Sequence, residues 1–370
     1  MKKILFIFHD TNMTGSSITL FRMIENIIPL NKYDIHIAFA SEDGPMLDLF
    51  KPYNVAIHPF KKHSHGNLFI KLLTRIVHFF KYPFFLYNIR PDLVYSNTLM
   101  NIGEVILSRI MGINTLVHAH EGKDIIRKYV LPIKVEDCFV DEYIVVSNYA
   151  LQSLNMFTRQ GTKKHVIYNG IKPSNQTASY LNKNTTIRLS VIATIHRNKA
   201  QLIAIKALEL LLVNTSFSIQ LNFFGKLADT TYYNELQEYI NNKNLTQYVH
   251  FHGEITEQNQ MYNQTDILLI TSLDETFSLT ALEALNTLTP VIASNVGGLS
   301  EVIENNISGL LFEVGNFQEL SEQIIRIIND DLLREQIINK AHSRVIEQFN
   351  IESITKQISA VIDNALNHTK

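Results

Sequence analysis

Two carboxylates spaced eight residues apart, Glu275 and Glu283, are the side chains of this sequence best placed to do chemistry. The short apolar run 266–270 that precedes them is typical of a buried strand. Ser278 has the residue type of a helix N-cap, and helical periodicity continues over 280–286. The sequence therefore predicts a strand, a loop that carries Glu275, and a helix that carries Glu283. A second strand follows at once, which favours a parallel sheet covered by helices.

This arrangement suggests which ligand the two acids could hold. Glu275 would lie at the carboxyl end of a strand and just ahead of a helix N-terminus, where ligands bind in open α/β sheets and free amides attract phosphate. Glu283 lies about five residues into the helix, roughly 7 Å further along its axis. The pair then suits two hydroxyl-bearing groups on either side of a diphosphate, one a sugar and the other a ribose. The alternative is an exposed loop glutamate and an unrelated, solvated helix glutamate.

Length and composition narrow the class of protein. The chain has 370 residues, enough for two domains, and its 46% hydrophobic and 18% charged residues are those of an ordinary globular protein. A net charge of −2 gives no support for nucleic-acid binding. The single cysteine excludes an internal disulfide framework and fits a reducing compartment.

The apolar stretches of the sequence bear on its location. The run 4–8 behind Lys2 and Lys3 is too short for a signal peptide, and no stretch reaches the ~18 apolar residues of a spanning helix. We therefore expect a cytoplasmic protein. The aromatic and basic segment 68–87 could form an amphipathic helix on the inner face of the plasma membrane. Its alternative is a core helix that ends at Pro83.

Strand and helix patterns alternate along the whole chain and predict an α/β protein with two doubly wound domains. The first strand, over 4–8, leads into a small-residue loop that contains Gly15. A polar stretch without apolar periodicity separates the domains. We predict an N-terminal domain over 1–172, a linker over 173–186, a C-terminal domain over 187–349 and a terminal helical segment over 350–370.

The motif run around the two acids resembles a known family. E-T-F-S-L-T-A-L-E-A-L, followed by P-V-I-A-S-N-V-G-G-L-S-E-V-I and S-G-L-L-F, resembles the E-x7-E region of glycosyltransferase family 4. Weaker matches extend over nearly the whole chain. The resemblance implies a retaining, nucleotide-sugar-dependent enzyme of the GT-B fold. In that fold two Rossmann-like domains face a central cleft, and a C-terminal helix crosses back to the first domain.

The resemblance also implies roles for individual residues. Glu275 would contact the donor sugar, Glu283 the ribose, and Lys199 the diphosphate. At the end of a predicted strand, His120 matches a histidine that reaches the donor sugar, and we expect His118 to point to the opposite face. By this resemblance, the catalytic residues are Glu275, His120 and Lys199. The donor-binding residues are Gly15, Arg197, Lys199, Gly253, Phe277, Ser278, Leu279, Thr280 and Glu283.

Several positions depart from the family pattern. The family has a segment that reads roughly G-R-x-x-x-K-G where this chain has Ala193, Thr194 and Ala200 around Lys199. Arg197 could substitute for the missing arginine from a shifted position. Leu288 stands where the family usually has glycine two residues before a proline. These departures leave the charged groups of the E-x7-E region in place.

The resemblance implies sugar transfer from a nucleotide-diphosphate sugar, with UDP as the first choice, to a glycan or lipid-linked acceptor in cell-surface polysaccharide synthesis. Because the chain contains no D-x-D triplet, we expect no metal and no other cofactor. Two alternatives remain: a non-catalytic partner subunit that binds a nucleotide sugar, suggested by the altered G-R-x-x-x-K-G segment, and a nucleotide-sugar 2-epimerase on the same fold.

Overall fold

The computed structural model describes residues 1–60, 68–129, 136–159, 161–175, 181, 185–255 and 258–367. The chain divides into two compact units: unit 1 contains 1–170 and 351–370, and unit 2 contains 171–350. The predicted linker 173–186 therefore falls within unit 2, and its residues 176–180 and 182–184 lie outside the described part. Among the described residues, no helix has both the length and the apolar character that crossing a bilayer requires.

Unit 1 alternates strands and helices. Its strands are β1 (Lys2–Ile7), β2 (Tyr33–Phe39), β3 (Ala56–Pro59), β4 (Leu93–Ser96), β5 (Asn114–Ala119), β6 (Glu142–Val145) and β7 (Lys163–Val166). Its helices are α1 (Gly15–Ile27), α2 (Pro45–Phe50), α3 (Leu68–Ile89), α4 (Ile102–Ile110), α5 (Lys123–Tyr129), α6 (Asn148–Asn155) and α14 (Ile351–Asn367), with short 3-10 turns at Ile28–Leu30, Leu99–Asn101 and Glu136–Phe139.

The described strands of unit 1 form one parallel sheet in the order β3-β2-β1-β4-β5-β6-β7. The central strands β1 and β4 are buried on both faces, which is why they read as continuous apolar runs rather than as alternating patterns. The chain starts in the middle of the sheet at β1, builds outward to β3, and then returns to the other side of β1 with β4. The direction of winding thus changes between β1 and β4.

Two helices of unit 1 bear on the predictions. The terminal helix α14 packs into the core beside β1 through its apolar face, which includes Ile354, Ile358 and Ile362. The helix α3 does not end at Pro83 but runs through it to Ile89, so that part of the expectation is wrong. The proline is tolerated because the flanking turns are held by the buried side chains of Tyr82 and Leu86.

Unit 2 repeats the same plan. Its strands are β8 (Ile187–Ile192), β9 (Ile219–Phe224), β10 (Val249–Gly253), β11 (Ile267–Ile270), β12 (Val291–Ser294) and β13 (Leu310–Phe312). Its helices are α7 (Gln201–Asn214), α8 (Thr230–Asn242), α9 (Gln258–Asn263), α10 (Leu279–Asn286), α11 (Leu299–Val302), α12 (Phe317–Asn329) and α13 (Asp331–Gln348), with a 3-10 turn at Arg197–Lys199.

The described strands of unit 2 form a parallel sheet in the order β10-β9-β8-β11-β12-β13. A core of aliphatic and aromatic side chains from β8, β9, α7 and α12 lies against one face of this sheet. The winding direction changes between β8 and β11, the strands that precede Lys199 and Glu275. At such a switch point the loops after adjacent strands diverge and leave a crevice for a ligand.

Candidate functional site

Lys199 and Glu275 meet at the switch point of unit 2. The Lys199 ammonium group and the Glu275 carboxylate form an ion pair, and the hydroxyl group of Ser272 donates to the same carboxylate at 3.0 Å. Both side chains are mostly enclosed, with 26% and 13% of their surface exposed. The structure thus brings two predicted catalytic residues into direct contact, and it adds Ser272, which the sequence analysis did not single out.

The loops that carry this pair are tied together by hydrogen bonds to backbone carbonyl groups. Thr271 donates its hydroxyl to the carbonyl of Lys199 at 2.7 Å, and the Leu273 amide donates to the carbonyl of Asn198 at 2.8 Å. The side-chain amide of Asn198 donates to the carbonyl of Asp274 at 3.0 Å. Each loop therefore fixes the other, and these hydrogen bonds between the two loops hold the residues of the ion pair close together.

The helix α10 begins beside the pair, as the N-cap prediction requires. The Ser278 hydroxyl accepts a hydrogen bond from the Ala281 amide at 3.2 Å, which confirms Ser278 as the N-cap. The amides of Leu279 and Thr280 in the first turn have no acceptor within the helix. Ser278, Thr280, Lys199 and Glu275 line one cavity of unit 2. Amide dipoles and an ammonium group thus face a common space, which suits an anion.

A second loop presses on the residues around Glu275. The Gly298 amide donates to the carbonyl of Glu275 at 2.7 Å. A Cβ placed on Gly298 would lie 2.0 Å from the Thr276 carbonyl oxygen, far inside contact distance. Only glycine allows this approach, so the Gly-Gly pair of the motif has a physical role: it holds the Glu275 loop against the turn that follows β12.

Glu283 lies in the second turn of α10 and is not solvated. The residue is 8% exposed, and its carboxylate accepts a hydrogen bond from the hydroxyl of Tyr262 at 3.2 Å. Tyr262 comes from α9 and also contacts the Thr280 carbonyl oxygen, so it links the two ends of the first helical turn. The interpretation of Glu283 as a solvated surface acid is therefore wrong. Sequence spacing gave no signal for Tyr262.

Arg197 is directed away from the Lys199–Glu275 pair. Its guanidinium forms an ion pair with Glu235 of α8 and lies over the ring of Tyr232, 5.4 Å from the centroid. It lines a separate cavity with Tyr232 and Lys206. The side chain is more than half exposed. The expectation that Arg197 replaces the family arginine at the diphosphate has no support from this arrangement, because α8 supplies a competing carboxylate.

Two departures from the family pattern, Ala200 and Leu288, sit in backbone conformations that favour glycine. Ala200 has φ +46° and Leu288 has φ +59°, both in the left-handed region. These are the positions where the resembling family has glycine, so the substitutions change backbone strain rather than the chemistry of the site. Gly253, at the end of β10, has φ +72° and accepts a hydrogen bond from the Gly225 amide at 2.7 Å. Residues 256 and 257, in the loop after it, lie outside the described part.

The predicted residues of unit 1 lie at the carboxyl ends of its central strands. Gly15 is the first residue of α1, and the Thr14 hydroxyl before it caps the helix by accepting from the Ser17 amide. His120 follows β5 directly, and burial holds its pKa well below the ordinary value, so the ring is neutral at pH 7. A neutral imidazole can donate or accept a hydrogen bond at a hydroxyl group.

The expectation that His118 and His120 point to opposite faces is wrong. Their ring centroids are 4.3 Å apart, and both residues are enclosed. In a strand, residues i and i+2 share a face, so the two rings lie against each other, tilted by 32°, at the end of β5. His118 is held by Tyr95, whose hydroxyl lies 2.8 Å from Nδ1, and burial lowers the pKa of His118 to about 3.

Glu121 is a buried acid whose importance the sequence analysis missed. It is 6% exposed, and its carboxylate accepts from the amides of Leu99 and His120, both at 2.9 Å. Burial raises the pKa of the Glu121 carboxyl to about 7 although these hydrogen bonds oppose the rise. The side chain joins the loop after β4 to the loop after β5. The only available signal was an acid directly after a strand-end histidine.

Part of the chain is similar in sequence to known glycosyltransferases. Residues 174–344 match the family model of the glycosyl transferases group 1, which covers most of unit 2 and somewhat less than half of the chain. The N-acetyl-alpha-D-glucosaminyl L-malate synthase of Bacillus anthracis is 30% identical over 131 residues, which make up 35% of this chain and 34% of that protein. The poly(ribitol-phosphate) alpha-N-acetylglucosaminyltransferase of Staphylococcus aureus is 29% identical over 33% of this chain and 25% of that protein. The aligned segments thus span about a third or less of these curated relatives.

Solved structures extend the likeness to both units. Anabaena HepE, in complex with UDP and glucose, superposes with a TM-score of 0.83 at 21% identity, over 98% of this chain and 100% of that chain. At this identity the comparison shows the fold: two parallel-sheet, Rossmann-like units of the GT-B type. The predicted fold class is confirmed.

Proposed function

We propose that this chain, whose second unit matches the group 1 glycosyl transferases, is a glycosyltransferase that uses a nucleotide-diphosphate sugar. The observation that carries the proposal is the Lys199–Glu275 pair at the switch point of unit 2, beside the N-terminus of α10. A cation and helix amides there suit a diphosphate, and an adjacent carboxylate suits a sugar. We assign the enzyme to the retaining hexosyltransferases of family 4.

The residues have distinct roles in the proposed reaction. The bond between the anomeric carbon and the donor phosphate breaks, which leaves positive charge on the sugar and negative charge on the phosphate. Lys199 and the first-turn amides of Leu279 and Thr280 stabilise the departing phosphate. Glu275 orients the sugar and stabilises its developing charge. In this arrangement Lys199 exchanges part of its contact with Glu275 for the phosphate when the donor binds.

The acceptor reacts on the same face of the sugar that the phosphate leaves. Its hydroxyl oxygen forms the new bond to the anomeric carbon, and its proton passes to the departing phosphate oxygen. This route retains the anomeric configuration and needs no separate general base. Glu275 is a stabilising group here and not a covalent nucleophile. The neutral imidazole of His120 is the candidate in unit 1 for a hydrogen bond to the donor sugar.

Glu283 is assigned to the ribose of the nucleotide. Its carboxylate is oriented by Tyr262, and an ionised carboxylate can accept hydrogen bonds from two vicinal hydroxyls. UDP is the proposed nucleotide, supported by the UDP bound in the structurally similar HepE. A glycan or lipid-linked acceptor in cell-surface polysaccharide synthesis is proposed from the relatives, one of which acts on a poly(ribitol-phosphate).

A donor screen tests the proposal. Purified full-length protein is incubated with UDP-, GDP- and dTDP-sugars, and nucleotide release, product anomer and sugar identity are followed by NMR. We expect one UDP-sugar to release UDP slowly by itself and faster when a matching acceptor is present. The new glycosidic bond should have the same anomeric configuration, axial or equatorial, as the bond that is broken in the donor. Inversion at C2 of the free nucleotide sugar without release would identify an epimerase instead. Thermal stabilisation by UDP without any turnover would identify a binding subunit.

A further inference from the structure

Over its described side chains, at 77 and 79–89, the helix α3 of unit 1 has one buried face and one exposed aromatic face. Tyr82, Leu86 and Ile89 pack against β1 and β4, with the Tyr82 hydroxyl 3.2 Å from the Ser108 hydroxyl. These contacts fix the rotation of the helix about its axis. The opposite face is therefore presented outward by a rigid attachment to the core and not by a loosely held segment.

The outward face carries what we call the aromatic stripe: Val77, Phe80, Phe84 and Tyr87. Their spacing of three or four residues places them on one side of the helix. Phe80, Phe84 and Tyr87 are 72%, 68% and 61% exposed, and the exposed ring of Phe79 lies against Phe80. Single exposed apolar residues are ordinary, but a contiguous aromatic row on one helix face is a mark of an interaction surface.

The charge of the surrounding sequence indicates what would cover the stripe. No acidic residue occurs between Asp48 and Asp92, whereas the same interval contains seven lysine and arginine residues. Lys81 is exposed within the row, and Arg90 at its end lies over the ring of Tyr87, 5.1 Å from the centroid. An aromatic row in a cationic, acid-free segment matches the interfacial zone of an anionic bilayer. A second copy of this chain would instead bring two such cationic segments together.

We propose that the aromatic stripe docks unit 1 onto the surface of an anionic lipid bilayer. Phenyl and phenol rings enter the boundary between headgroups and acyl chains, and Lys81 and Arg90 contact the lipid phosphates. The helix lies on the membrane and does not span it, in keeping with the absence of any bilayer-crossing helix from the described residues. The inference concerns binding alone and holds whether or not the proposed transferase activity does.

The chain contains no tryptophan, which makes a single-site optical probe possible. Phe84→Trp places the only indole in the stripe, and Leu332→Trp, at a 73% exposed position of α13, is the matched control. Each full-length variant is titrated with vesicles of phosphatidylcholine alone or with one-quarter phosphatidylglycerol, at low and high salt. We expect a blue shift of the Phe84→Trp emission, and quenching by brominated lipid, with the anionic vesicles at low salt only. The Leu332→Trp emission should not change.

Sedimentation with the same vesicles tests the stripe without the probe. The double substitution Phe80→Ser with Phe84→Ser should weaken binding to anionic vesicles at least tenfold, and Lys81→Glu should weaken it further. The control pair Val213→Ser with Leu332→Ser, at two exposed apolar positions of unit 2, should bind as the unmodified chain does. Circular dichroism shows that each variant is folded.

Three results would overturn the proposal. The first is no binding of the unmodified chain to anionic vesicles at low salt. The second is equal binding by the Phe80→Ser, Phe84→Ser variant. The third is a blue-shifted Phe84→Trp emission without lipid, if dilution both removes the shift and halves the mass in solution. This result would show that a second copy of the chain covers the stripe.

Discussion

The Lys199 ammonium group contacts the Glu275 carboxylate although 76 positions separate the two residues. The loops after β8 and β11 are brought together by the pairing of these strands in the sheet. The pair is thus a direct product of the doubly wound topology, and each residue loses its counter-ion if the other is removed.

Removing the Glu275 charge tests the centre of the site. We expect Glu275→Gln to lower sugar transfer at least about 100-fold, since a charge that stabilises the transition state is lost. Steady-state transfer with the preferred UDP-sugar is the measurement. The matched control is Glu235→Gln, which removes the exposed partner of Arg197 and should leave transfer within about threefold of the unmodified chain. A Glu275→Gln enzyme with more than a tenth of the activity would contradict the assigned role.

Placing glycine at position 200 should stabilise unit 2. Ala200 has φ +46°, a conformation that costs an L-residue about 1 kcal/mol and that glycine adopts freely. Ala200→Gly should therefore raise the free energy of unfolding by about 0.5–1 kcal/mol, measured by urea denaturation. Ala207→Gly, inside α7, is the control and should lower it by at least about 1 kcal/mol. Equal destabilisation by both changes would show that Ala200 is not strained.

Adding a methyl group at Gly298 should displace the Glu275 loop. The new Cβ would lie 2.0 Å from the Thr276 carbonyl oxygen, so Gly298→Ala forces the two loops apart. We expect a loss of about 2–4 kcal/mol of stability and a raised KM for the donor. Gly103→Ala is the control, because a Cβ there meets no atom within 4 Å and α4 should gain up to about 1 kcal/mol. An unchanged KM for the donor in Gly298→Ala would show that this glycine does not position the donor-binding loop.

The buried carboxyl of Glu121 predicts a specific pH dependence. Its pKa is raised from 4.5 to about 7 in the folded protein, so the folded state binds the proton more tightly than the unfolded state. The contribution of Glu121 to stability is therefore full below pH 4.5 and is lost as the pH rises to about 7, by about 3 kcal/mol at most. The Glu121→Gln variant has no carboxyl group at this position, so its free energy of unfolding does not fall with pH for this reason.

The measurement is the difference in unfolding free energy between Glu121→Gln and the unmodified chain at pH 5 and pH 8. We expect the stability of Glu121→Gln, relative to that of the unmodified chain, to increase as the pH rises from 5 to 8. His118 and His120 have pKa values lowered by burial and contribute the opposite trend, but they are common to both proteins and cancel. A difference that does not vary with pH would show that Glu121 is ionised throughout.

Chelation tests whether the proposed cationic groups suffice at the diphosphate. The chain has no D-x-D triplet, and Lys199 with the first-turn amides of α10 is proposed to meet the phosphate charge. We expect EDTA to change the transfer rate less than twofold, and added Mg²⁺ or Mn²⁺ to leave it unchanged. A loss greater than tenfold that Mn²⁺ reverses would show that a metal ion is required.

Local sequence patterns were sufficient for the elements and for part of the site. The strand over Ile267–Ile270 and the Ser278 cap of α10 depend on apolar runs and on a short-range side-chain hydrogen bond, so neighbouring residues specify them. The E-x7-E spacing also singled out Glu275, and the family resemblance added Lys199. The class of fold followed because strand and helix patterns alternate along the chain.

Contacts between distant segments could not be obtained in the same way. The order of strands in each sheet decides which helices and loops come together. Three contacts depend on it: the ion pair of Arg197 with Glu235, the hydrogen bond from Tyr262 to Glu283, and the burial of Glu121. The fold of α3 through Pro83 likewise depends on a core that holds both flanking turns. The sequence by itself determined which residues can carry charge and hydrogen bonds and on which local element each lies. Tertiary structure alone decided which of them meet and which are removed from water, because strand pairing and burial act between residues far apart in the chain.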